Sequence, residues 1–135
     1  MSRDTVRDLA AMLEQLSPRL DPDRYRYVQI EPSNAPQLLG AAIATFREDE
    51  GVSAIVPAAI ADQADVGGPD MARITLEVYS DLEGVGLTAA VASALAEAGI
   101  ACNMVAALHH DHAFVPARKG EEALDVLQEL SASAT

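Results

Sequence analysis

The apolar positions change their period several times along the chain, and each change marks an element. Val6, Leu9, Ala10, Leu13 and Leu16 recur at helical spacing behind a capping-type Ser2 or Asp4, and Pro18 ends the pattern. An amphipathic helix is therefore predicted over residues 4–16. Residues 20–24, rich in Asp and Pro, read as a turn, and 25–30 as a strand that stops before Glu31-Pro32-Ser33-Asn34. Residues 37–47 carry two signals: alanine and leucine favour helix, whereas Thr45-Phe46-Arg47, the turn Asp49-Glu50-Gly51 and the apolar run 52–56 favour a hairpin. Strands at 42–47 and 52–56 are the reading adopted, followed by a short helix at 58–65. Val66-Gly67-Gly68-Pro69 is the best candidate boundary in the chain, dividing it into 1–68 and 69–135.

The second part has a cleaner pattern. Ile74, Leu76 and Val78 alternate with Thr75, Glu77 and Tyr79, which predicts a half-buried strand over 72–79. After the loop 80–85, Leu87, Ala90, Val91, Ala94, Leu95 and Ala98 form one apolar helix face, and Gly99 supplies a C-cap. In the strand predicted over 100–108, Cys102, Met104, Ala106 and Leu108 share one face and Asn103 lies on the other. His109-His110-Asp111 reads as a tight turn into a strand at 112–116, and a helix over about 119–130 carries Ala123, Leu124, Leu127 and Leu130 inward. Strand, helix, strand, strand, helix, with a right-handed first crossover and a hairpin, is the order of an α+β split βαβ sandwich lacking its final strand. The tail 131–135 is too short and small to supply that strand, which makes 25–30 the expected donor and fuses the two parts into one unit.

Composition narrows the function classes. At 135 residues, half of them apolar, the chain is long enough to bury a core without disulfides. Twenty-one acidic residues against nine basic ones give a net charge of −12, which argues against nucleic acid and anionic membranes as partners. The single lysine, Lys119, beside eight arginines is read as genome or salt adaptation and not as the mark of an acidic partner. The start lacks the charged and apolar regions of a signal peptide and no apolar stretch is long enough to span a bilayer, so a cytoplasmic location is expected. The single cysteine, Cys102, excludes a disulfide framework and a cysteine-rich zinc site, and its apolar surroundings suit packing better than catalysis.

Three stretches carry a resemblance: Arg73-Ile74-Thr75-Leu76-Glu77-Val78; Leu82-Glu83-Gly84-Val85-Gly86-Leu87-Thr88-Ala89-Ala90-Val91; and Ala98-Gly99-Ile100-Ala101-Cys102-Asn103-Met104-Val105. Together they resemble an ACT domain. His110-Asp111-His112-Ala113-Phe114-Val115-Pro116, with Ala44-Thr45-Phe46-Arg47-Glu48 and Glu50-Gly51, resembles more narrowly a group of small bacterial ACT-containing proteins of unassigned function. The resemblance covers about residues 10–130 and implies a ferredoxin-like ACT fold in two ACT-like halves sharing a core, the first degenerate and preceded by a helix. It also implies a non-catalytic regulatory module that binds an amino acid or another small molecule, often at a homodimer interface, through the loop between first strand and first helix. That loop is Ser80, Asp81, Leu82, Glu83, Gly84, Val85 and Gly86, with Asn103 as a further candidate. The physical case for it is a helix N-terminus whose N–H groups and dipole attract a carboxylate, reached over two glycines. The loop departs from the Asp-x-Pro-Gly turn common in the family: Asp81-Leu82-Glu83 precedes the glycine, and two acidic groups suit a ligand ammonium or simply face solvent.

His109, His110, His112 and Asp111 are the one grouping of metal-ligand types, but placed in a turn they are expected to hold the hairpin, with an imidazole bonded to Asp111, and not to bind metal. Asp62, Asp65 and Glu48-Asp49-Glu50 read as solvated carboxylates. No triad order, phosphate loop, Walker pattern or dinucleotide fingerprint is present, so neither a catalytic residue nor a cofactor is predicted. The alternatives are a structural or protein-interaction module without ligand and, last, an enzyme using His110 or His112 as general base.

Overall fold

The computed structural model describes residues 7–134. Within them the order is α1 (Leu9–Glu14), β1 (Pro18–Gln29), α2 (Ala35–Leu38), β2 (Ala44–Glu48), β3 (Gly51–Pro57) and α3 (Ala58–Gln63). There follow β4 (Met71–Leu76), α4 (Leu87–Glu97), β5 (Asn103–Ala106), β6 (Asp111–Pro116) and α5 (Gly120–Ala132). Short 3-10 turns at Leu39–Ala41 and Ala117–Lys119 lead out of α2 and into α5. The elements belong to two units: the first is the chain through Asp21 together with the chain from Ala72 onward, and the second is Pro22–Met71.

In the first unit the strand order is β1-β4-β6-β5, with β5 and β6 antiparallel and Asn103 opposite Phe114. The first part of β1 thus supplies the strand that the split βαβ pattern lacked, and not the expected 25–30, whose residues Tyr25–Gln29 pair with β3. Period-two alternation sends Ile74 and Leu76 of β4 and Ala113 and Val115 of β6 to one side of the sheet. There they cluster with Val91 and Leu95 of α4, Leu127 of α5, and Met12 and Leu16 at the N-terminal helix. All are sealed from solvent. Each large aliphatic group among them contributes about 1.5–3 kcal/mol by leaving water. Asp8 caps α1 by accepting from the Ala11 N–H at 3.0 Å, so the helix expected over 4–16 is the shorter Leu9–Glu14, and the expected caps Ser2 and Asp4 lie outside the described residues.

In the second unit β3 lies between β2 and β1, antiparallel to both, with Ile55 opposite both Tyr27 and Ala44. Val28, Ala54 and Val56 face Leu38 and Ala61 in a smaller apolar cluster. Arg26 lies on β1 opposite Val56, with its side chain only 8% exposed. It donates from Nη1 to Asp62 Oδ1 at 2.8 Å and to the Val66 carbonyl at 2.7 Å, and from Nη2 to Asp70 Oδ1 at 2.7 Å. The guanidinium fork therefore ties the segment after α3 back to the strand, its charge paired where an unpaired one would be costly.

Three local expectations are corrected. Residues 20–24 are not a turn but part of the twelve-residue β1. Asp21, 9% exposed, accepts from Arg73 Nη2 at 2.6 Å, so its charge is satisfied inside the fold, and the φ of Pro22 suits extended backbone. The strand predicted over 100–108 is only β5, which stops at Ala106, so Leu108 is 68% exposed and does not share a buried face with Met104. The turn before β6 is made by 107–110, closed by the Ala107 N–H donating to the His110 carbonyl at 3.0 Å, and Asp111 already opens the strand. The helical signal in 37–47 is also real, but is spent on α2 and its 3-10 turn before β2 begins.

Candidate functional site

The loop 80–86 is shaped by its own side chains. Asp81 Oδ1 accepts from the Glu83 N–H at 2.8 Å, and the Asp81 carbonyl accepts from the Gly84 N–H at 2.9 Å. Gly86 follows at φ +101°, where a side chain would be strained, and turns the chain into α4 without a side-chain cap. The first N–H groups of α4 thus have neither intrahelical partners nor a side-chain cap at their positive end of the dipole. The far end closes at Gly99, φ +75°, with the Ile100 N–H donating to the Leu95 carbonyl at 2.9 Å.

Beside this helix start lies a cleft of about 500 Å³. Five of the predicted ligand residues line it: Ser80, Asp81, Leu82, Gly84 and Gly86. Thr88, Ala89 and Ala92 form the α4 wall, spaced to fall on one helix face, and Met12, Ala106 and Asp111 close the other sides. Glu83 and Val85 are not among the lining groups, and Val85 is 82% exposed. Nor does Asn103 line the cleft; it is exposed on β5, at the end of the strand order. Among the described residues no lysine or arginine lines the cleft, so an anion entering it would rest on backbone N–H groups, while Asp81 and Asp111 supply negative charge.

The histidine cluster beside the cleft is structural in its contacts. Tyr79 Oη is hydrogen bonded to His109 Nδ1 and the two rings stack at 5.0 Å between centroids, with His110 edge-on to Tyr79 at 5.8 Å. His110 Nδ1 lies 3.4 Å from the Val78 carbonyl, and His112 Nδ1 is hydrogen bonded to Thr75 Oγ1 at 3.1 Å. Burial, with Arg73 and His110 nearby, pushes the His112 pKa below the usual imidazole value. The expected imidazole bond to Asp111 is replaced by one from Ser80 Oγ at 3.2 Å, because the turn ends before Asp111 and leaves its carboxylate beside the loop. Among the described residues no group of three or more His, Cys, Asp and Glu is placed to hold a metal ion. Cys102 is half-buried, and burial pushes its thiol up, keeping it protonated.

What the sequence did not reveal is the contribution of α1. Met12 lines the cleft, and Arg7 Nη2 reaches Asp81 Oδ2 at 3.2 Å and Glu83 Oε2 at 3.3 Å. These pairings join residues more than seventy positions apart, and helical periodicity at 4–16 carries no information about its distant partners.

No helix among the described residues is long and apolar enough to cross a membrane. Two family models, each described as an ACT domain, match residues 4–73 and 69–129. No curated protein matches. Among solved structures, a Vibrio cholerae protein of unknown function, described as a possible transport protein, is 39% identical over 91% of this chain and 95% of its own, with a TM-score of 0.79. The regulatory subunits of aspartate kinase from Thermus thermophilus and Thermus flavus share the fold at lower identity. The first is 15% identical over 86% of this chain and 97% of its own, with a TM-score of 0.62; the second is 16% identical over 84% and 95%, with a TM-score of 0.59. With one model matching each half and a relative of this identity spanning nearly all of it, the chain belongs to the ACT-domain family, as a tandem of two ACT halves.

Proposed function

We propose that the chain is a non-catalytic regulatory module that binds a small molecule, such as an amino acid, in the cleft beside the 80–86 loop, and that it works as a homodimer. The observation that carries the reading is the cleft itself: about 500 Å³ at the uncapped N-terminus of an eleven-residue helix, with Asp81 and Asp111 on its walls. A zwitterion meets both features, its carboxylate at the N–H groups and its ammonium near the carboxylates. The aspartate kinase regulatory subunits that share this fold support a regulatory role. The exposed position of Asn103 at the sheet edge suits a solvated edge residue, so the ligand set is centred on the loop.

A thermal-shift screen against the amino acids tests this. A ligand at a hundred times its dissociation constant stabilises by about 2.7 kcal/mol, and Ala92→Leu, which fills the cleft, should abolish the shift. Sedimentation with the hit present should give twice the 14.2 kDa chain mass. A shift unaffected by Ala92→Leu would place binding elsewhere. The second reading, an interaction module without ligand, is favoured by one observation: Phe46 is 70% exposed on β2, at the end of the strand order, near the exposed Ile43.

A further inference from the structure

We infer that residues 7–9 are a tethered cover on the glycine loop, and that a ligand reaches the first N–H groups of α4 only when they lift while Met12 stays seated; the inference rests on the small-molecule reading above. Three contacts place the cover. Leu9 lies so close to Gly86 that a Cβ there would stand 3.1 Å from its Cδ2. Met12 lies nearly as close to Gly84, where a Cβ would stand 3.3 Å from its Sδ and Cε. Arg7 forks across Asp81 and Glu83. Gly84 has no positive φ to require glycine, so the absent side chain there serves close approach: of Met12 from outside and of the Asp81 carbonyl from within the loop.

The segment is buried at one end and exposed at the other, as a cover has to be. Met12 and Leu16 are fully buried in the core of the first unit, whereas Leu9 is 38% exposed and the Arg7 side chain 62% exposed. Ion pairs this exposed add little stability, and a six-residue helix does not persist on its own. The N-terminal turn can therefore detach while Met12 and Leu16 stay seated. What it uncovers is the approach to Gly86 and the first N–H groups of α4, where a ligand carboxylate would dock. The acidic pair facing Arg7 makes the chain's own guanidinium the group that a ligand cation has to displace.

Thiol labelling tests the cover without a ligand. In a Cys102→Ser, Ala92→Cys protein the cleft wall carries the single thiol, and its reaction with a bulky maleimide and with iodoacetamide is timed. Arg7→Ala combined with Leu9→Ala should speed the maleimide reaction about fivefold, with a smaller gain for iodoacetamide, because only the opening has widened. Arg7→Ala alone, at an exposed position, should change the maleimide rate in the same direction by less. Equal rates with and without these substitutions, in protein with native circular dichroism, would overturn the inference. So would an equal gain at a Ser93→Cys control, placed on the exposed side of the same helix, which would mean general loosening. An empty ligand screen counts against the small-molecule reading, whereas unchanged labelling counts against the cover, so the two failures are told apart.

Discussion

The two units leave a strand and enter a helix in different ways, and the contrast is why the proposed site is placed in the first. In the first unit β4 leads through a loop with two glycines into the eleven residues of α4, with Gly86 at φ +101° as N-cap. In the second, β1 leads through Glu31-Pro32-Ser33-Asn34 into the four residues of α2, where Asn34 has φ −113° and its Oδ1 accepts from the Glu31 N–H at 2.8 Å. One loop leaves a long helix with open N–H groups beside a cleft; the other spends its polar side chain closing its own turn. A helix of one turn also has little dipole to offer. The cores differ in the same sense: the first unit packs two long helices and α1 on its sheet, and the second only α2 and α3.

The sharpest way to break this comparison is to cut one fully buried leucine from each core. Leu95→Ala in α4 should cost about 4 kcal/mol and Leu38→Ala in α2 about 2.5 kcal/mol, because the larger cluster closes less readily around the cavity. Urea melts of both variants measure it, and the reverse order would show that the second core is the tighter one. Gly86→Val comes next, at about 2 kcal/mol, since it forces a β-branched residue to φ +101° against Leu9. Gly99→Ala, at φ +75° with open space around it, should cost only about 1 kcal/mol. Equal losses at the two glycines would mean that the Leu9 contact adds nothing. Because Gly86→Val disturbs folding, Ala92→Leu is the cleaner probe of binding.

Much of this contrast was legible beforehand, where the signal was local. Ile74, Leu76 and Val78 alternate, Leu87, Val91 and Leu95 repeat at helical spacing, and Gly99 caps, because each pattern is fixed by neighbours a few residues away. The helix start at Gly86 was legible for the same reason, while the loop Ser80, Asp81, Leu82, Gly84 and Gly86, which lines the cleft, was singled out by the resemblance to an ACT domain. What stayed hidden depends on distant pairing. Asp21-Pro22-Asp23 looks like a turn until Arg73 pairs with Asp21 from 52 positions away. Asp62, 68% exposed as a solvated carboxylate should be, gave no sign that Arg26 would pair with it from 36 positions away. Met12 gave no sign that it would face Gly84. Leu108 misled because alternation continued in sequence past the end of β5.

The smallest expected effect is a pH dependence within the first unit. His112 lies on β6 next to β4, where Thr75 Oγ1 meets its Nδ1 at 3.1 Å. Burial disfavours the imidazolium, Arg73, His110 and Arg19 add like charge, and only Asp111 works the other way, so the folded pKa lies below the ordinary 6.5. The neutral ring shares a hydrogen bond at Nδ1 with the Thr75 hydroxyl, and Thr75 is itself buried. The sign follows from proton uptake: as pH falls through the ordinary imidazole range, the unfolded chain binds a proton that the folded chain resists, so unfolding gains. The contribution of His112 to stability is whole above that range and is lost as pH falls from it toward the folded pKa. His112→Gln keeps a carbonyl acceptor near Thr75 but does not titrate, so its melting temperature should fall less than that of the parent between pH 7.5 and pH 5. Parallel thermal melts at the two pH values give the difference of differences. If both proteins lose the same number of degrees, the histidine adds nothing to the acid sensitivity of the first unit.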